Sequence, residues 1–458
     1  MRSILCRRTV ALGGLVLLGV ASAAFAAGPG QSLGRTRGTA ERMEEARLKA
    51  VTEEVAKIQA QRKPVGLGMG LTDFRSILHA HAEDASHTGG TRVEMLADAK
   101  KVNVGVIMLS DHHRPPKDFI TDTWRGMHDN VLFIPGSESK GFLVYPMNSI
   151  MDKMDLATEP FIPVVTEGEG LIFLSHIEAR VNHPMDGLTG LEIYNRHADA
   201  MDDMFALLNI VNSLVDPEKY AKFKALLEAY PDAMLATQLD YPQLYLDKWD
   251  REAQTRRLTG VAANDCHHNM VMIAKVLDAE TLLVGTIIDP DDGMRKISAS
   301  TTPSVRLMTE GKQPGDIVAR LDFDPYFRSF MNVSTHILAP EQTEPAVRAA
   351  LKAGHAYVSH DWMCDPTGFA FVAQKEGDPA LLGIMGDEVN ADPALRLVAE
   401  FPVECDIRLI KNGEEVAKGQ GRDFTHTPDG PGVYRIEGWL KVDEEDRVWI
   451  YSNPIYVR

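Results

Sequence analysis

Between residues 72 and 275 the chain alternates short apolar runs with amphipathic stretches, and nearly every apolar run ends in His, Asp or Glu. "FRSILHAH", "VGVIMLSDHH", "NVLFIPGSES", "GLIFLSHIEAR", "LTGLEIYNRH" and "GVAANDCHH" share this form. Apolar runs of that length read as buried parallel strands, and "TRVEMLADAKKVN" between the first two reads as a crossover helix. The pattern predicts an α/β fold, in which chemistry collects at the carboxyl ends of the strands.

Outside this stretch the pattern changes. In "TAERMEEARLKAVTEEVAKIQAQRK" (39–63), Leu48, Val51, Val55 and Ile58 follow 3- and 4-residue spacing, which predicts an amphipathic surface helix with Thr39 as candidate cap and Pro64 as its stop. Residues 199–258 read as helical packing inserted between two strands. Beyond residue 300, "FMNVSTHIL", "HAYVSHD" and "GFAFVAQ" read as strands and "TEPAVRAALKAG" as a helix. The tail alternates at period two, with turn signals at Asn412-Gly413 and Pro428-Asp429-Gly430, and predicts an all-β, sandwich-like module.

The first residues carry Arg2, Arg7 and Arg8, then an apolar run from Val10 to Val20 and small residues around Ala24-Phe25-Ala26. This reads as a signal peptide over 1–26, with Arg7-Arg8 similar to a twin-arginine pair, and it predicts a periplasmic or extracellular protein. The run is shorter than the roughly 20 residues a membrane span needs. The net charge of −17 becomes −20 once those three Arg are removed, which argues against nucleic acid as a partner. A small anionic substrate remains compatible with it, because a bound metal reverses the local field. Beyond Cys6 the chain has Cys266, Cys364 and Cys405, too few for a disulfide framework, although Cys364 and Cys405 could pair after export.

The strand ends carry the candidate chemistry. In "ILHAHAEDASHTGG", His79 and His81 are two apart, so on a strand both face the same way and can bind one ion. Asp111-His112, Glu138, His176 and the Asp265-x-His267 pair end other strands. Imidazole and carboxylate together suit borderline divalent cations such as zinc and manganese. By strand alternation His113, His268 and Cys266 face away; His128, His336, His355, His360 and His426 read as structural. Glu192 and Asn195 end a strand near the site and are candidate pocket residues. Lys140, Arg114, Arg180 and Arg196 lie beside ligand motifs and could bind a phosphate or other anion.

The ordered set His79-x-His81, His87, Ser110-Asp111-His112, Gly136-Ser137-Glu138, Ser175-His176 and Asn264-Asp265-Cys266-His267 resembles the PHP (polymerase and histidinol phosphatase) superfamily over residues 70–275. The extension and the tail ending in "YSNPIYV" resemble its secreted branch of carbaryl-hydrolase-like metallohydrolases. The resemblance implies a distorted seven-stranded β/α barrel over 65–300, covered or completed by a mixed α/β extension (301–385) and followed by the β module (386–458), with a linker and helix (27–64) ahead. It implies two or three divalent ions of zinc, manganese or iron. His79, His81, Glu138 and Asp265 would hold the first, Glu138 and His176 the second, and His87, His112 and His267 a third. Asp111 would be a ligand or would orient His112. A metal-bridging hydroxide would be the nucleophile. One departure stands out: no His follows Glu138 before residue 175, where the family commonly has one, which leaves three outcomes: a more loosely held second ion, substitution by His197 or His183, or a site that has lost activity.

These expectations define three candidate functions. The first is a secreted phosphoesterase, and the second hydrolyses a carbamate, amide or carboxylic ester on the same ions. The third is a catalytically degenerate binding protein. The number of ionisable groups set against the last, since burying them without a metal is costly.

Overall fold

A computed structural model describes residues 32–196, 198–199 and 210–458. The stretch expected to be a signal peptide, His197 and residues 200–209 of the expected helical insertion lie outside the described residues. No helix among them is long and apolar enough to cross a membrane.

Nine strands carry or support the ligand motifs: β1 (Thr72–Ala80), β2 (Val106–Leu109), β3 (Gly126–His128), β4 (Val131–Ile134), β5 (Ser137–Ser139), β6 (Phe142–Tyr145), β7 (Leu171–Leu174), β8 (Gly190–Asn195) and β9 (Thr259–Ala263). β2, β4, β6, β7, β8 and β9 are buried along their whole length, as expected for mainly apolar runs, although β8 also buries Glu192 and Asn195. β1 runs parallel to β2 and β2 to β4; β7 runs parallel to β8 and β8 to β9. The crossover helix Arg92–Lys101 follows β1 and opens with a capping box: Thr91 Oγ1 accepts from the Glu94 amide, and Glu94 Oε2 accepts from the Thr91 amide at 2.8 Å.

The strands do not close into a seven-stranded barrel. They belong to two sheets, one holding β1 to β4 and the other β5-β6-β7-β8-β9. The reason lies on one edge of β1. Its first residues, Thr72 to Ser76, pair antiparallel with Ala339 to Thr335 of a later strand, leaving only the end of β1 for β9. There the sheets touch through a single bridge, Ala80 to Cys266, with the His81 amide donating to Cys266 O at 3.0 Å. On the other side the Glu138 amide donates to Ser110 O at 2.9 Å. The sheets therefore meet at the carboxyl ends of their parallel strands.

A separate antiparallel sheet of four strands comes next in the chain: β10 (Val271–Asp278), β11 (Thr281–Thr286), β12 (Arg295–Ser298) and β13 (Ile317–Asp322). It went unread in the sequence. β14 (Ser334–Ala339), β15 (Ala356–Ser359) and β16 (Ala370–Lys375) follow, with the helix Glu344–Ala353 between the first two; residues 330–332, expected to open the first of these strands, instead end the helix Tyr326–Asn332. The tail is all-β: β17 (Asp378–Ile384), β18 (Glu388–Val389), β19 (Leu395–Lys411), β20 (Glu414–His426), β21 (Gly432–Val442), β22 (Glu445–Ser452) and β23 (Ile455–Val457). Asn412 and Gly413, at φ of 54° and 90°, form the two-residue hairpin between β19 and β20 that the Asn-Gly signal predicts. β22 pairs with β15 and β15 with β14, so one sheet of 14 strands runs from the tail to β1.

Three helices, Pro217–Ala229, Pro231–Leu235 and Gln243–Ala253, lie between β8 and β9 as the inserted helical packing. The N-terminal segment forms Thr39–Arg42 and Glu45–Ala60, burying Leu48, Val51 and Val55. Thr39 does not cap it: its hydroxyl accepts from Arg35 at 2.7 Å, and Gly38 stands at the cap. Cys364 and Cys405 do not pair; all three described cysteines are free and buried.

Candidate metal centre

Side chains from β1, β2, β5, β7 and β9 converge where the two sheets meet. Three groups have donor atoms within 4.8 Å of one another: His81, His112 and His267; His79, Glu138 and His176; His79, His81 and Asp265. Glu138 stands at the centre. Its Oε2 lies 3.6 Å from His79 Nε2, 3.8 Å from His81 Nε2 and 3.6 Å from His112 Nε2, while its Oε1 lies 3.2 Å from His176 Nε2. Asp265 faces the same space, with Oδ1 3.3 Å from His79 Nε2 and Oδ2 3.6 Å from His176 Nε2.

Five imidazoles are held from behind through Nδ1. His79 donates to Glu192 Oε1 at 2.8 Å, and His176 to Glu178 Oε1 at 2.9 Å. His81 and His112 both donate to Asp84 Oδ2, at 3.0 and 2.7 Å. His267 donates to the Asp265 carbonyl at 3.0 Å. An outer acceptor on Nδ1 fixes the ring and leaves Nε2 as the ligand atom. The Nε2 atoms of His79 and His267 are buried and make no hydrogen bond. Natural structures rarely tolerate such orphans, and a bound cation would satisfy both. The donor set therefore fits divalent metal.

The electrostatics agree. Burial opposes ionisation of Glu138, yet the proximity of His176 and the charges of His79 and His81 hold its carboxyl well below the usual range. Burial and the charge of His81 push His267 down to about 3, leaving a neutral imidazole, the form a metal needs. Burial lowers His176, but Glu138 and Glu178 outweigh it and push the group up to about 10, so an incoming cation would displace a proton there.

Backbone strain sits on the same residues. His176 and Asp265, each just past the end of a buried strand, take the left-handed conformation at φ of 51° and 49°. Non-glycine residues take it uncommonly, although Asp and His do so more than most, and such conformations collect where side chains are aimed for a purpose. The loop after His81 is tied to the far side of the site: the amides of Gly89 and Gly90 donate to His267 O at 3.0 and 3.1 Å. A Cβ on Gly89 would meet His268 O at 2.3 Å, which explains the glycine.

Several expected residues stand apart. His87 is exposed at the rim, its ring 4.7 Å from that of His112 and 5.1 Å from that of His267, and it joins none of the donor groups. Asp111 pairs with Arg92, and Asp84, not Asp111, holds His112. His183 donates to Pro184 O and packs edge-on against Phe142, away from Glu138. His197 lies outside the described residues. Lys140 lies over the Phe161 ring at 5.6 Å, and Arg180 donates to Ser175 O at 3.2 Å. Arg196 is buried, and its charge bears on Asp324, while that of Arg114 bears on His87. Glu192 is an anchor of His79, and Asn195 donates to its Oε2 at 3.1 Å. His268 faces away as expected. It forms a further group with Asp322 and Asp324, in which Asp324 accepts from the amides of Asn269 and Met270.

No protein-family model matches the chain, and no curated protein matches it. It is similar to one solved structure, from Bacteroides vulgatus ATCC 8482, described as a two-domain protein containing a predicted PHP-like metal-dependent phosphoesterase. The two are 11% identical, the match covers 85% of this chain and 98% of that one, and the TM-score is 0.33.

Sequence reasoning missed the outer anchors. Asp84 had a local signal, an acid three residues after His81 in the same loop, and Glu178 follows His176 by two. Tyr245, whose hydroxyl donates to Glu178, had none, being 67 residues away.

Proposed function

We propose that this chain is an exported, metal-dependent hydrolase of the PHP type, acting on a small anionic phosphoester. The observation that carries the reading is the shared orientation of five imidazoles, each tied outward through Nδ1, around a carboxylate whose two oxygens face different histidines. His79, His81, His112, His176, His267, Glu138 and Asp265 would hold two or three ions of zinc, manganese or iron. Bound there, the ions would activate water and neutralise charge on attacked and leaving oxygens.

The chain's own residues do the remaining work. Glu138 would serve two ions, since its Oε1 and Oε2 face different imidazoles. Asp84, Glu178 and Glu192 hold the rings so that no reorientation is needed when substrate arrives. Arg114, and His87 at the rim, are suited to meet an anion entering from solvent. On this reading residues 65–300 carry the centre, 301–385 cover it, and 386–458 form an accessory β module. The secreted carbaryl-hydrolase-like branch is the kind of relative its extension and tail suggest.

The test is a screen of chromogenic phosphate mono- and diesters against carboxylic and carbamate esters, with His81→Ala and Asp265→Ala as controls. Turnover of phosphoesters, lost in both variants, is the expected result. Turnover confined to carboxylic or carbamate esters would transfer the same centre to that chemistry. No turnover by metal-loaded protein would favour a binding role. Accumulation of the processed chain in the periplasm or medium tests export.

A further inference from the structure

His176 differs from the other four inward-facing imidazoles in what holds it. His79, His81, His112 and His267 are anchored by Glu192 within β8, by Asp84 in the loop after β1 and by the Asp265 carbonyl just past β9. His176 is anchored by Glu178, which sits in the four-residue helix Ile177–Arg180. Glu178 is itself held from the helical insertion: its Oε1 accepts from His176 Nδ1 at 2.9 Å, and its Oε2 accepts from the Tyr245 hydroxyl.

Tyr245 lies on the helix Gln243–Ala253 and is buried at 6% exposure. The same helix grips the segment a second time. Lys248, three residues on, donates through Nζ to Val181 O at 3.0 Å and His183 O at 2.6 Å. One helix thus fastens both the side chain behind His176 and the backbone that follows it. His176 needs such support, since its backbone is left-handed at φ 51°, with its amide spent on Glu192 Oε2 at 2.8 Å.

We propose that Tyr245 is a positioning residue: through Glu178 it sets the ring of His176, and so the affinity of the ion that His176 and Glu138 hold. The inference rests on the metal-centre reading above and adds to it that the insertion between β8 and β9 governs one ion selectively. Partners behind a ligating His typically contribute about 10- to 100-fold in metal affinity.

The test uses the full chain, stripped with chelator and titrated with Co²⁺ alone, followed by calorimetry and visible absorption. Tyr245→Phe keeps the ring and its packing and removes only the hydroxyl. The expected result is one binding step weakened by about 10- to 100-fold with an altered Co²⁺ spectrum, the other steps unchanged, and the same step affected in Glu178→Gln. Tyr245→Phe binding with every step as in wild type, or with all steps weakened alike, would overturn the proposal. Wild-type protein that takes up no Co²⁺ would overturn the metal-centre reading itself, an outcome read before any variant is compared.

Discussion

Glu192 Oε1 lies 2.8 Å from Nδ1 of His79, and neither side chain reaches solvent. A buried carboxylate costs free energy unless every lone pair is used. Glu192 uses both oxygens, the second accepting from the His176 amide at 2.8 Å and from Asn195 at 3.1 Å. Glu192→Ala would remove the acceptor of the His79 ring and of the His176 amide, and one partner of the Asn195 side chain. The expected loss is about 3 kcal/mol in the unfolding free energy of metal-stripped protein, and about 10- to 100-fold in metal affinity. Denaturant unfolding and metal titration measure the two separately. A stable variant with unchanged affinity would remove Glu192 from the account.

Asp84 offers a sharper case, because one oxygen serves two rings. His81 and His112 both donate to Oδ2, and Thr88 donates to Oδ1 at 2.6 Å. Asp84→Asn keeps the size and loses the charge, so its one remaining oxygen is a weaker acceptor for the two rings. The expected effect is again about 10- to 100-fold in affinity, on the ions served by His81 and His112. Competition against a chromogenic chelator reads it directly. Wild-type affinity in this variant would mean the rings are held by packing alone.

The strand pattern and the placing of polar side chains at strand ends were legible because both are local: an apolar run, then a polar residue. Glu138, His176 and Asp265 needed nothing more. Barrel closure was not legible, because it depends on which edge of β1 is free, and β14, more than 250 residues away, takes half of it. Asp111 and Asp84 show the limit at the site. Both are acids beside histidines in sequence, and only the fold turns one toward Arg92 and the other toward His112. Tyr245 was out of reach because an inserted helix brings it back.

Stability should fall on the alkaline side. His336 is fully buried, donating to Asp73 at 2.7 Å and lying 3.1 Å from Asp361. Burial lowers its pKa, but the two carboxylates outweigh this and raise it to about 9. A group raised in the folded state contributes stability that is complete below its unfolded pKa, about 6.5, and is lost as pH rises through 9. Roughly 3 kcal/mol is at stake over that window. Denaturant midpoints between pH 6 and 10 should decline in wild type and stay flatter in His336→Gln. A flat wild-type profile would contradict the charged assignment.

Metal itself should stabilise the fold. Ions that bind the native state and not the unfolded chain raise stability by about 2.7 kcal/mol at a hundredfold excess over Kd. Stripped wild type should therefore melt higher on adding Zn²⁺ or Mn²⁺, and Asp265→Ala should respond less. An equal response in both would place the bound ions elsewhere.

The central claim is that the five imidazoles, Glu138 and Asp265 form a multi-ion centre. Elemental analysis of purified, desalted full chain tests it most directly, beside His81→Ala and Asp265→Ala prepared alike. The account predicts roughly two or more divalent ions per wild-type chain and a clear loss in each variant. Metal-free wild type that takes up none on incubation with zinc, manganese or iron, and whose melting temperature does not change, would contradict it.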